Sequence, residues 1–318
     1  MLVIDREAVR QRLTYEVCIP LVRKAMIALS RGETRQLLRT IIPLGGGHAF
    51  GIMPGALGEH AAFGAKLISV FPDNFDKGIQ SHQGVVVLFD GESGAVACVV
   101  HAGEVTAIRT AAASAVATDA LARQDASRLA ILGYGEQATT HARAIARVRR
   151  IASIEVWGRS LDRADAFAGR MRDELGLPVR AHAAAEAAVA EADIICTVTN
   201  AREPILLGRW VKSGAHVNLV GSSAPGPVEV DDDLVVRSRF IADHRDGVLA
   251  QGAEFLKAKE KGLIGDDHVV GEIGQVLDGA IPGRQSDEQI TVYKSLGHVV
   301  QDLAAAQALY EALQPRGV

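Results

Sequence analysis

A glycine-rich turn is the stretch of this sequence whose residue types and spacing point most directly to chemistry. Residues 129–132 form a short apolar run, the letters Gly-Tyr-Gly-Glu-Gln-Ala follow at 133–138, and a helical pattern begins at once. A buried parallel strand that turns tightly into a helix N-terminus has this pattern. Gly133 permits the turn, Gly135 lets a pyrophosphate approach the backbone, and Ala138 keeps the helix close to the strand. The stretch therefore predicts a dinucleotide-binding site.

The end of the next predicted strand decides which nucleotide fits, and it reads Val-Trp-Gly-Arg-Ser at 156–160. An acid at this tip favours NAD, whereas an arginine suits the 2′-phosphate of NADP. Here Arg159 offers a planar donor fork, Ser160 offers a hydroxyl, and Arg163 lies one helical turn further on. Asp162 is the nearest acid and belongs to the following helix. We therefore favour NADP as the cofactor and keep NAD as the alternative.

Three cationic residues outside this stretch are candidates for binding an anion. Lys66 lies between apolar residues, where a lysine is costly unless it has a partner. Arg39 lies inside a short predicted strand, where it is either functional or an edge residue that aids solubility. Arg109 lies near a predicted helix start, where the helix dipole disfavours a cation and an anionic partner is attractive.

The sequence gives no support to a metal site. The acidic run at 231–233 is expected to be a helix start or a solvated turn, and no His/Cys cluster has zinc spacing. The cysteines lie in apolar settings and indicate buried free thiols in a reducing cytoplasm. There are three of them, Cys18, Cys98 and Cys196.

The overall charge argues against a nucleic-acid or membrane partner. Lys and Arg total 34 and Asp and Glu total 38, which gives a net charge of −4 and no basic excess. No apolar run approaches the length of a membrane span, and the N-terminus lacks the features of a signal peptide. A chain of 318 residues is long enough for two domains.

The hydrophobic pattern changes along the chain. The first part predicts two helices, one capped by Asp5 and one starting near Pro20, and then a mainly antiparallel sheet. Its strands are expected at 37–43, 49–53, 62–71, 85–90 and 95–101, before a helix at 108–122. From Leu129 strands and helices alternate, with further strands expected at 154–157, 179–181, 194–198, 217–220 and 240–243.

This alternation predicts an α/β fold, with a Rossmann-type doubly wound parallel sheet plus an α+β antiparallel domain. Residues 271–283 are expected to be rich in loops, and the last helix, 295–313, is expected to rejoin the first domain. The predicted domains are 1–116 with 296–318 and 117–295, of which the second is the NAD(P)-binding domain.

Five short motifs resemble those of the ornithine cyclodeaminase/mu-crystallin family, and most closely its mu-crystallin-type ketimine reductases. The motifs lie at 80–83 (Gln-Ser-His-Gln), 109–112, 203–212, 214–218 and 294–297 (Lys-Ser-Leu-Gly), and the resemblance covers nearly the whole chain. It implies a Rossmann domain and an antiparallel domain, 1–116 with 296–318, that serves substrate binding and dimerisation, so that the protein forms a homodimer.

The resemblance also implies roles for individual residues. Arg39 corresponds to the family's carboxylate-binding arginine and Lys66 to its substrate-contacting lysine. The expected cofactor contacts are Ser81, His82, Gln83 and Arg109 from the first domain; Gly133, Gly135, Glu136 and Gln137 at the pyrophosphate; Arg159, Ser160 and Arg163 at the 2′-phosphate; and Thr197, Val198, Val220 and Ser295 beside the ribose and nicotinamide.

One position departs from the cyclodeaminases of the family. They carry an aspartate after the fifth Rossmann strand, and Ser223 occupies that place here and is expected to contact the substrate. A serine lacks the charge and basicity of a carboxylate, so ornithine cyclodeamination is disfavoured. Glu254 is expected to offer a carboxylate to the substrate from the next loop.

The resemblance implies an NAD(P)H-dependent reductase of small cyclic ketimines that carry a carboxylate. The candidate substrates are 1-pyrroline-2-carboxylate and 1-piperideine-2-carboxylate, and the products would be proline and pipecolate. Alternatives left open are an alanine-type amino-acid dehydrogenase, an ornithine cyclodeaminase, and a non-catalytic NADP-dependent protein that binds a hormone-like small molecule.

Overall fold

The structure is a computed structural model, and it describes residues 1–314. The chain forms two compact units. The first contains Met1–Ala112 and the C-terminal segment from His298, and the second contains Ala113–Gly297. The domain boundaries expected at 116/117 and 295/296 stay predictions, and residues 315–318 of the expected first domain lie outside the described residues.

The first unit is built on a seven-stranded sheet within the described ranges. Its strands are β1 (Leu2–Ile4), β2 (Arg35–Gln36), β3 (Thr40–Gly45), β4 (His48–Ala56), β5 (Phe63–Val70), β6 (His82–Phe89) and β7 (Val96–His101). The order is β1-β7-β6-β5-β4-β2, and β3 also pairs with β4. β1 runs parallel to β7 and the other pairs are antiparallel, so the expected antiparallel arrangement is confirmed.

The second unit is built on an eight-stranded sheet in which every pair is parallel. Its strands are β8 (Arg128–Leu132), β9 (Ser153–Trp157), β10 (Val179–His182), β11 (Ile194–Thr197), β12 (His216–Leu219), β13 (Arg239–Ala242), β14 (Val269–Glu272) and β15 (Thr291–Lys294). The order is β10-β9-β8-β11-β12-β15-β13-β14, so the winding reverses between β8 and β11. This is the predicted doubly wound sheet, and ligands bind at such a reversal.

Eleven α-helices lie within residues 1–314. They are α1 (Arg6–Arg12), α2 (Tyr15–Ser30), α3 (Ala102–Leu121), α4 (Glu136–Val148), α5 (Leu161–Leu175), α6 (Ala185–Val189), α7 (Asp232–Arg237), α8 (Arg245–Gln251), α9 (Ala253–Glu260), α10 (Ile273–Leu277) and α11 (Val299–Leu313). No helix in this part of the chain is long and apolar enough to cross a membrane.

Two helix starts differ from the prediction. α2 begins at Tyr15 rather than near Pro20, so the proline lies in its second turn. α3 begins at Ala102, six residues early, because the His101 imidazole accepts a hydrogen bond from the backbone N–H of Glu104 at 3.1 Å and so caps the helix directly after β7. Histidine is not among the usual cap residues, so this helix start was hard to predict from the sequence.

The strand prediction has three errors that bear on the site. Arg39 lies in the loop before β3 rather than inside a strand. The predicted loop at 271–283 contains the end of β14 and all of α10, and β15 was missed altogether. β15 ends in Lys294, which breaks the apolar run, although the whole strand is buried. The last helix starts at Val299, four residues later than predicted.

Helix α11 lies against the antiparallel sheet of the first unit. A Cβ atom at Gly64 on β5 would lie 1.9 Å from the Val87 carbonyl oxygen and 3.3 Å from the Leu303 side chain of α11. Only glycine therefore lets β6 and α11 approach β5 so closely. This packing brings the N-terminal turn of α11 to the middle of the sheet.

Candidate functional site

The first unit contains a buried ionic cluster, which we define as Lys66, Arg109, Gln301 and Asp302. Lys66 lies on β5 with 2% of its surface exposed, and its Nζ donates to Asp302 Oδ1 at 3.0 Å. Arg109 on α3 donates from Nε to the same oxygen at 3.0 Å and from Nη1 to Gln301 Oε1 at 2.8 Å. One carboxylate oxygen thus holds two cations that come from different elements.

The sequence predicted two members of this ionic cluster and missed the other two. Lys66 was expected to need a partner, and Asp302 is that partner. The anion expected beside Arg109 is also Asp302, and the further role of Arg109 as a cofactor contact stays a prediction. Gln301 and Asp302 are adjacent polar residues in the otherwise apolar first half of α11, and both are buried. Two polar residues within an apolar helical stretch are the sequence signal that could have identified them.

The charges of the ionic cluster oppose the effect of burial on Asp302. Burial alone would raise the pKa of this carboxyl, but the charges of Arg109 and Lys66 and their hydrogen bonds outweigh it and lower the pKa. Asp302 also lies in the first turn of α11, where the helix dipole favours an anion. Asp302 is therefore ionised at neutral pH.

For Lys66, burial outweighs the effect of its ionic partner on the pKa. The pKa of the Lys66 amine is lowered from its ordinary 10.5 to about 7, mainly by burial and also by the charges of Arg109 and Arg39, against the opposing effect of Asp302. The amine therefore exchanges its proton close to neutral pH, which suits a general acid. Arg39 is half-buried and close enough to act on the charge of Lys66.

The predicted residues at 81–83 lie around the start of β6. His82 is on the same face of the sheet as Lys66. Lys66 pairs with Val86 on β6, and His82 lies four residues before Val86 on that strand, so their side chains point to the same face. Burial, together with the charges of Lys66, Arg39 and Arg109, lowers the pKa of His82 to about 4, so the imidazole is neutral at pH 7. Ser81 Oγ lies 2.9 Å from His82 Nδ1, and Gln83 donates from Nε2 to the Gln80 carbonyl at 3.1 Å.

In the second unit, the predicted turn joins β8 to α4. Gly133 has φ of 131°, which favours glycine, and a Cβ there would lie 3.0 Å from the Val198 carbonyl oxygen. Gly135 is the N-cap of α4 and offers the helix no side-chain cap, whereas Glu136 and Gln137 form its first turn. Free N–H groups at a helix start bind phosphate. Gln137 Oε1 is buried and has no hydrogen-bond partner among the described residues.

The predicted 2′-phosphate residues lie where β9 passes into α5. Ser160 is the N-cap of α5 and accepts a hydrogen bond from the Arg163 backbone N–H at 3.4 Å. Arg159 and Arg163 are exposed. The Tyr134 ring covers Gly158 so closely that a Cβ there would lie 2.2 Å from it. Two arginines therefore flank the N-cap of one helix, an arrangement suited to a phosphate.

The residues expected beside the ribose and nicotinamide lie at the carboxyl ends of β11, β12 and β15. Thr197 ends β11 and Val198 follows it, Val220 follows β12, and Ser295 follows β15. Ser295 Oγ is buried and has no hydrogen-bond partner in the described part of the chain. An unsatisfied buried hydroxyl at this edge of the sheet is consistent with a polar ligand.

Glu229 organises the same edge of the sheet, and no sequence pattern predicts its role. Its fully buried carboxylate accepts hydrogen bonds of 2.7 Å from Thr197 Oγ1, from the N–H and hydroxyl of Thr199, and from the Gly221 N–H. Burial raises the pKa of this carboxyl, although the bonds from Thr199 and Thr197 counteract it. Glu229 therefore fixes the segments that follow β11 and β12.

Glu254 and Ser223 were both assigned to the substrate. Glu254 lies in the first turn of α9 rather than in a loop. Its Oε1 accepts from the Glu229 N–H at 3.1 Å, and its Oε2 lies 2.8 Å from Lys294 Nζ. Ser223 is half-buried in the segment after β12. Contact of either residue with the substrate stays a prediction. The bonds of Glu254 to the Glu229 N–H and to Lys294 also give it a structural role.

Residues 1–314 contain no group of three or more His, Cys, Asp or Glu side chains that could hold a metal ion. The acidic run contributes Asp231 as the N-cap of α7, where it accepts from the Leu234 N–H at 3.1 Å, so the predicted helix start is confirmed. The three cysteines are free and buried.

Comparison with known proteins decides the family. Residues 1–316 match the pattern of the ornithine cyclodeaminase/mu-crystallin family. The chain belongs to this family. The motif resemblance is thereby confirmed, and it extends over almost the full length.

Named relatives within the ornithine cyclodeaminase/mu-crystallin family include reductases. The ketimine reductase mu-crystallin of Mus musculus is 36% identical over 298 residues, which cover 92% of this chain and 91% of that protein. The Delta(1)-pyrroline-2-carboxylate reductase of Bacillus cereus is 34% identical over 320 residues, which cover 100% of this chain and 98% of the relative.

A solved structure from the same family has the same fold. It is the Delta(1)-pyrroline-2-carboxylate reductase of Thermococcus litoralis in complex with NADH and L-proline. The TM-score is 0.94 with 32% identity, and the match covers 98% of this chain and 97% of the other.

Proposed function

We propose that this protein is an NAD(P)H-dependent reductase of small cyclic ketimines that carry a carboxylate, 1-pyrroline-2-carboxylate or 1-piperideine-2-carboxylate. The products would be proline or pipecolate. The observation that carries the proposal is a buried lysine, Lys66, whose amine is held 3.0 Å from Asp302 and has an arginine, Arg39, close enough to act on its charge. These are the two groups that the reduction of an imine with an adjacent carboxylate requires.

Each chain residue has a distinct part in the proposed reaction. Arg39 binds the substrate carboxylate through its planar donor fork, which fixes the orientation of the C=N bond. Lys66 donates a proton to the imine nitrogen, and its neutral amine then takes a proton from water. When bound, the reduced nicotinamide supplies the hydride that the imine carbon accepts. One hydride and one proton convert the C=N bond into the C–N bond of the amino acid.

The residues of the second unit suit a dinucleotide. The glycine turn before α4, the unsatisfied Gln137 Oε1 and the unsatisfied Ser295 Oγ all offer polar groups to such a ligand. Because Arg159 and Arg163 flank Ser160 and the tip of β9 carries no acid, we propose NADPH as the preferred reductant and NADH as the weaker one.

Ser223 supports reduction over cyclodeamination. Loss of ammonia from ornithine would need a base at this place, and a serine hydroxyl is a poor substitute for a carboxylate. The test is NADPH oxidation by the purified protein with the two cyclic ketimines, with pyruvate plus ammonia, and with ornithine alone. We expect the cyclic ketimines to give the highest kcat/KM. Faster turnover of pyruvate plus ammonia, or ammonia release from ornithine, would refute the proposal.

We further propose a cytoplasmic homodimer. All six residues of β3 are exposed, and Ile41, Ile42 and Leu44 of this strand are 40%, 47% and 52% exposed. Apolar side chains on an exposed strand promote association, and the buried free thiols suit a reducing compartment. Sedimentation of the wild type and of Ile42→Lys tests the dimer, since the variant should sediment as a monomer. A wild-type monomer at micromolar concentration would contradict it.

A further inference from the structure

We propose that Asp302 is a positioning residue for the reaction, acting through Lys66: it fixes the lysine amine in place and supplies the negative charge that keeps it protonated. The inference rests on the proposed function for its link to catalysis. Its basis is the shared oxygen of the ionic cluster, which accepts from Lys66 Nζ and from Arg109 Nε, each at 3.0 Å.

Asp302 is placed rigidly enough for this role. It is fully buried, and α11, which carries it, is held close to β5 by the absence of a side chain at Gly64. Gln301, the residue before it, accepts a hydrogen bond from Arg109. The arginine therefore clamps two neighbouring side chains of α11, and the carboxylate has little freedom to move away from Lys66.

The second oxygen of this carboxylate is the notable feature. Oδ2 of Asp302 is buried and has no hydrogen-bond partner among the described residues, whereas Oδ1 receives two donors. A carboxylate whose only role was structural would be expected to spread its donors over both oxygens, because a buried acceptor without a donor is costly. The arrangement concentrates both cations on one side and leaves an acceptor unused.

The remaining charges around the amine all oppose its protonation. Arg109 on α3 and Arg39 before β3 are cations, and with burial they contribute to lowering the pKa of Lys66 to about 7. On β6, His82 has a pKa lowered to about 4 by burial, and on α2 the pKa of Cys18 is raised to about 12 by burial, so both are neutral. Of the charged groups among residues 1–314 that act most strongly on Lys66, namely Asp302, Arg109 and Arg39, Asp302 favours the ammonium.

The test is the pH dependence of kcat/KM in Asp302→Asn, which keeps the shape and removes the charge. We expect the alkaline limb of the pH profile, where kcat/KM falls as Lys66 loses its proton, to move to lower pH. A displacement of about one unit would lower kcat/KM about tenfold at about pH 8 and only about twofold at about pH 6. Asp302→Glu keeps the charge and should retain the limb of the wild type with a reduced kcat.

Asp193→Asn is the matched control. Asp193 is also a buried carboxylate with two cationic partners, Arg123 at 3.1 Å and Lys212 at 2.7 Å, but it precedes β11 at the amino end of the parallel sheet. Loss of the Asp193 charge should lower the free energy of unfolding and leave the alkaline limb of the kcat/KM profile at the same pH. An equal displacement of the limb in this control and in Asp302→Asn would overturn the proposal.

A measurement without substrate separates this inference from the proposed function. The chain has eight lysines, so ¹³C-labelled lysine gives few signals and Lys66→Met identifies the one of interest. The proposal expects this lysine to titrate near neutral pH in the wild type and lower in Asp302→Asn. If Asp302→Asn does not fold, a displaced titration in folded Asp302→Glu overturns the proposal, and an unchanged one supports it. If Lys66 titrates as expected but no ketimine is reduced, the coupling is supported and the proposed function fails.

Discussion

Lys294 Nζ and Glu254 Oε2 lie 2.8 Å apart with both side chains fully buried. Lys294 also donates to the Ser222 carbonyl at 2.6 Å. Glu254→Gln would leave the ammonium in the interior without its counter-ion. We expect a loss of about 3–5 kcal/mol in the free energy of unfolding, as is typical when one partner of a buried pair is removed. Urea denaturation measures it.

The control for Glu254 is an exposed pair. Asp266→Asn removes the partner of Lys259, whose side chain is 43% exposed, and should cost less than about 1 kcal/mol. If Glu254→Gln is as stable as the wild type but inactive on ketimines, the original assignment of Glu254 to the substrate is correct and the structural role is wrong.

Glu229→Gln is expected to weaken nucleotide binding. The amide nitrogen of glutamine would face backbone N–H groups of Thr199 or Gly221 that now donate to a carboxylate oxygen. Each donor left unsatisfied costs about 1–3 kcal/mol, and the segments after β11 and β12 would shift. The dissociation constant of NADPH, from fluorescence titration, should rise more than the KM of the ketimine. A change confined to the ketimine KM would contradict this account.

Arg159→Asp tests the preference for NADPH. The substitution replaces a donor fork at the start of α5 with a charge that repels a phosphate and can accept from a ribose hydroxyl. The ratio of kcat/KM with NADPH to kcat/KM with NADH should fall at least about tenfold, which corresponds to about 1.4 kcal/mol. Arg172→Asp, near the other end of α5, should leave the ratio unchanged. A ratio that does not move in Arg159→Asp would mean that Arg159 does not contact the 2′-phosphate.

The features that could be predicted from the sequence are those formed by residues close together along the chain. The turn at Gly133 was predictable because a buried strand, a glycine and a helix start follow one another within ten residues. Asp302 was not, because its partner Lys66 is 236 positions away and no local pattern records that pairing. β15 was missed because Lys294 looks exposed until its buried partners are known.

Lys66→Met should reveal the lowered pKa through stability. Lys66 titrates at about 7 in the folded protein against an ordinary value of 10.5. Between these values the unfolded chain binds more protons, so the stability of the wild type relative to Lys66→Met rises with pH, by up to about 1.4 kcal/mol per unit. Below about pH 7 the difference is constant. Lys77→Met controls for the methionine itself, and a difference that stays flat from pH 7 to 10 would show that Lys66 is not titrating there.

Arg39→Lys tests how the substrate carboxylate is bound. Lysine keeps the positive charge but loses the planar fork, so the carboxylate is no longer held in one orientation. We expect kcat/KM for 1-piperideine-2-carboxylate to fall by a factor equivalent to about 2–4 kcal/mol, the scale of a broken charge-assisted pair. NADPH titration should be unchanged, since Arg39 is assigned to the substrate. Steady-state kinetics and fluorescence titration on the same preparation measure both.

Arg35→Lys is the matched control for Arg39→Lys. Arg35 is exposed in the same region and donates to the Gly32 carbonyl at 3.1 Å, so its replacement should leave kcat/KM almost as in the wild type. If both variants turn over the ketimine like the wild type, Arg39 does not hold the substrate and the carboxylate is bound elsewhere. If Arg39→Lys loses NADPH binding as well, the arginine is needed for the nucleotide and its assignment to the substrate is wrong.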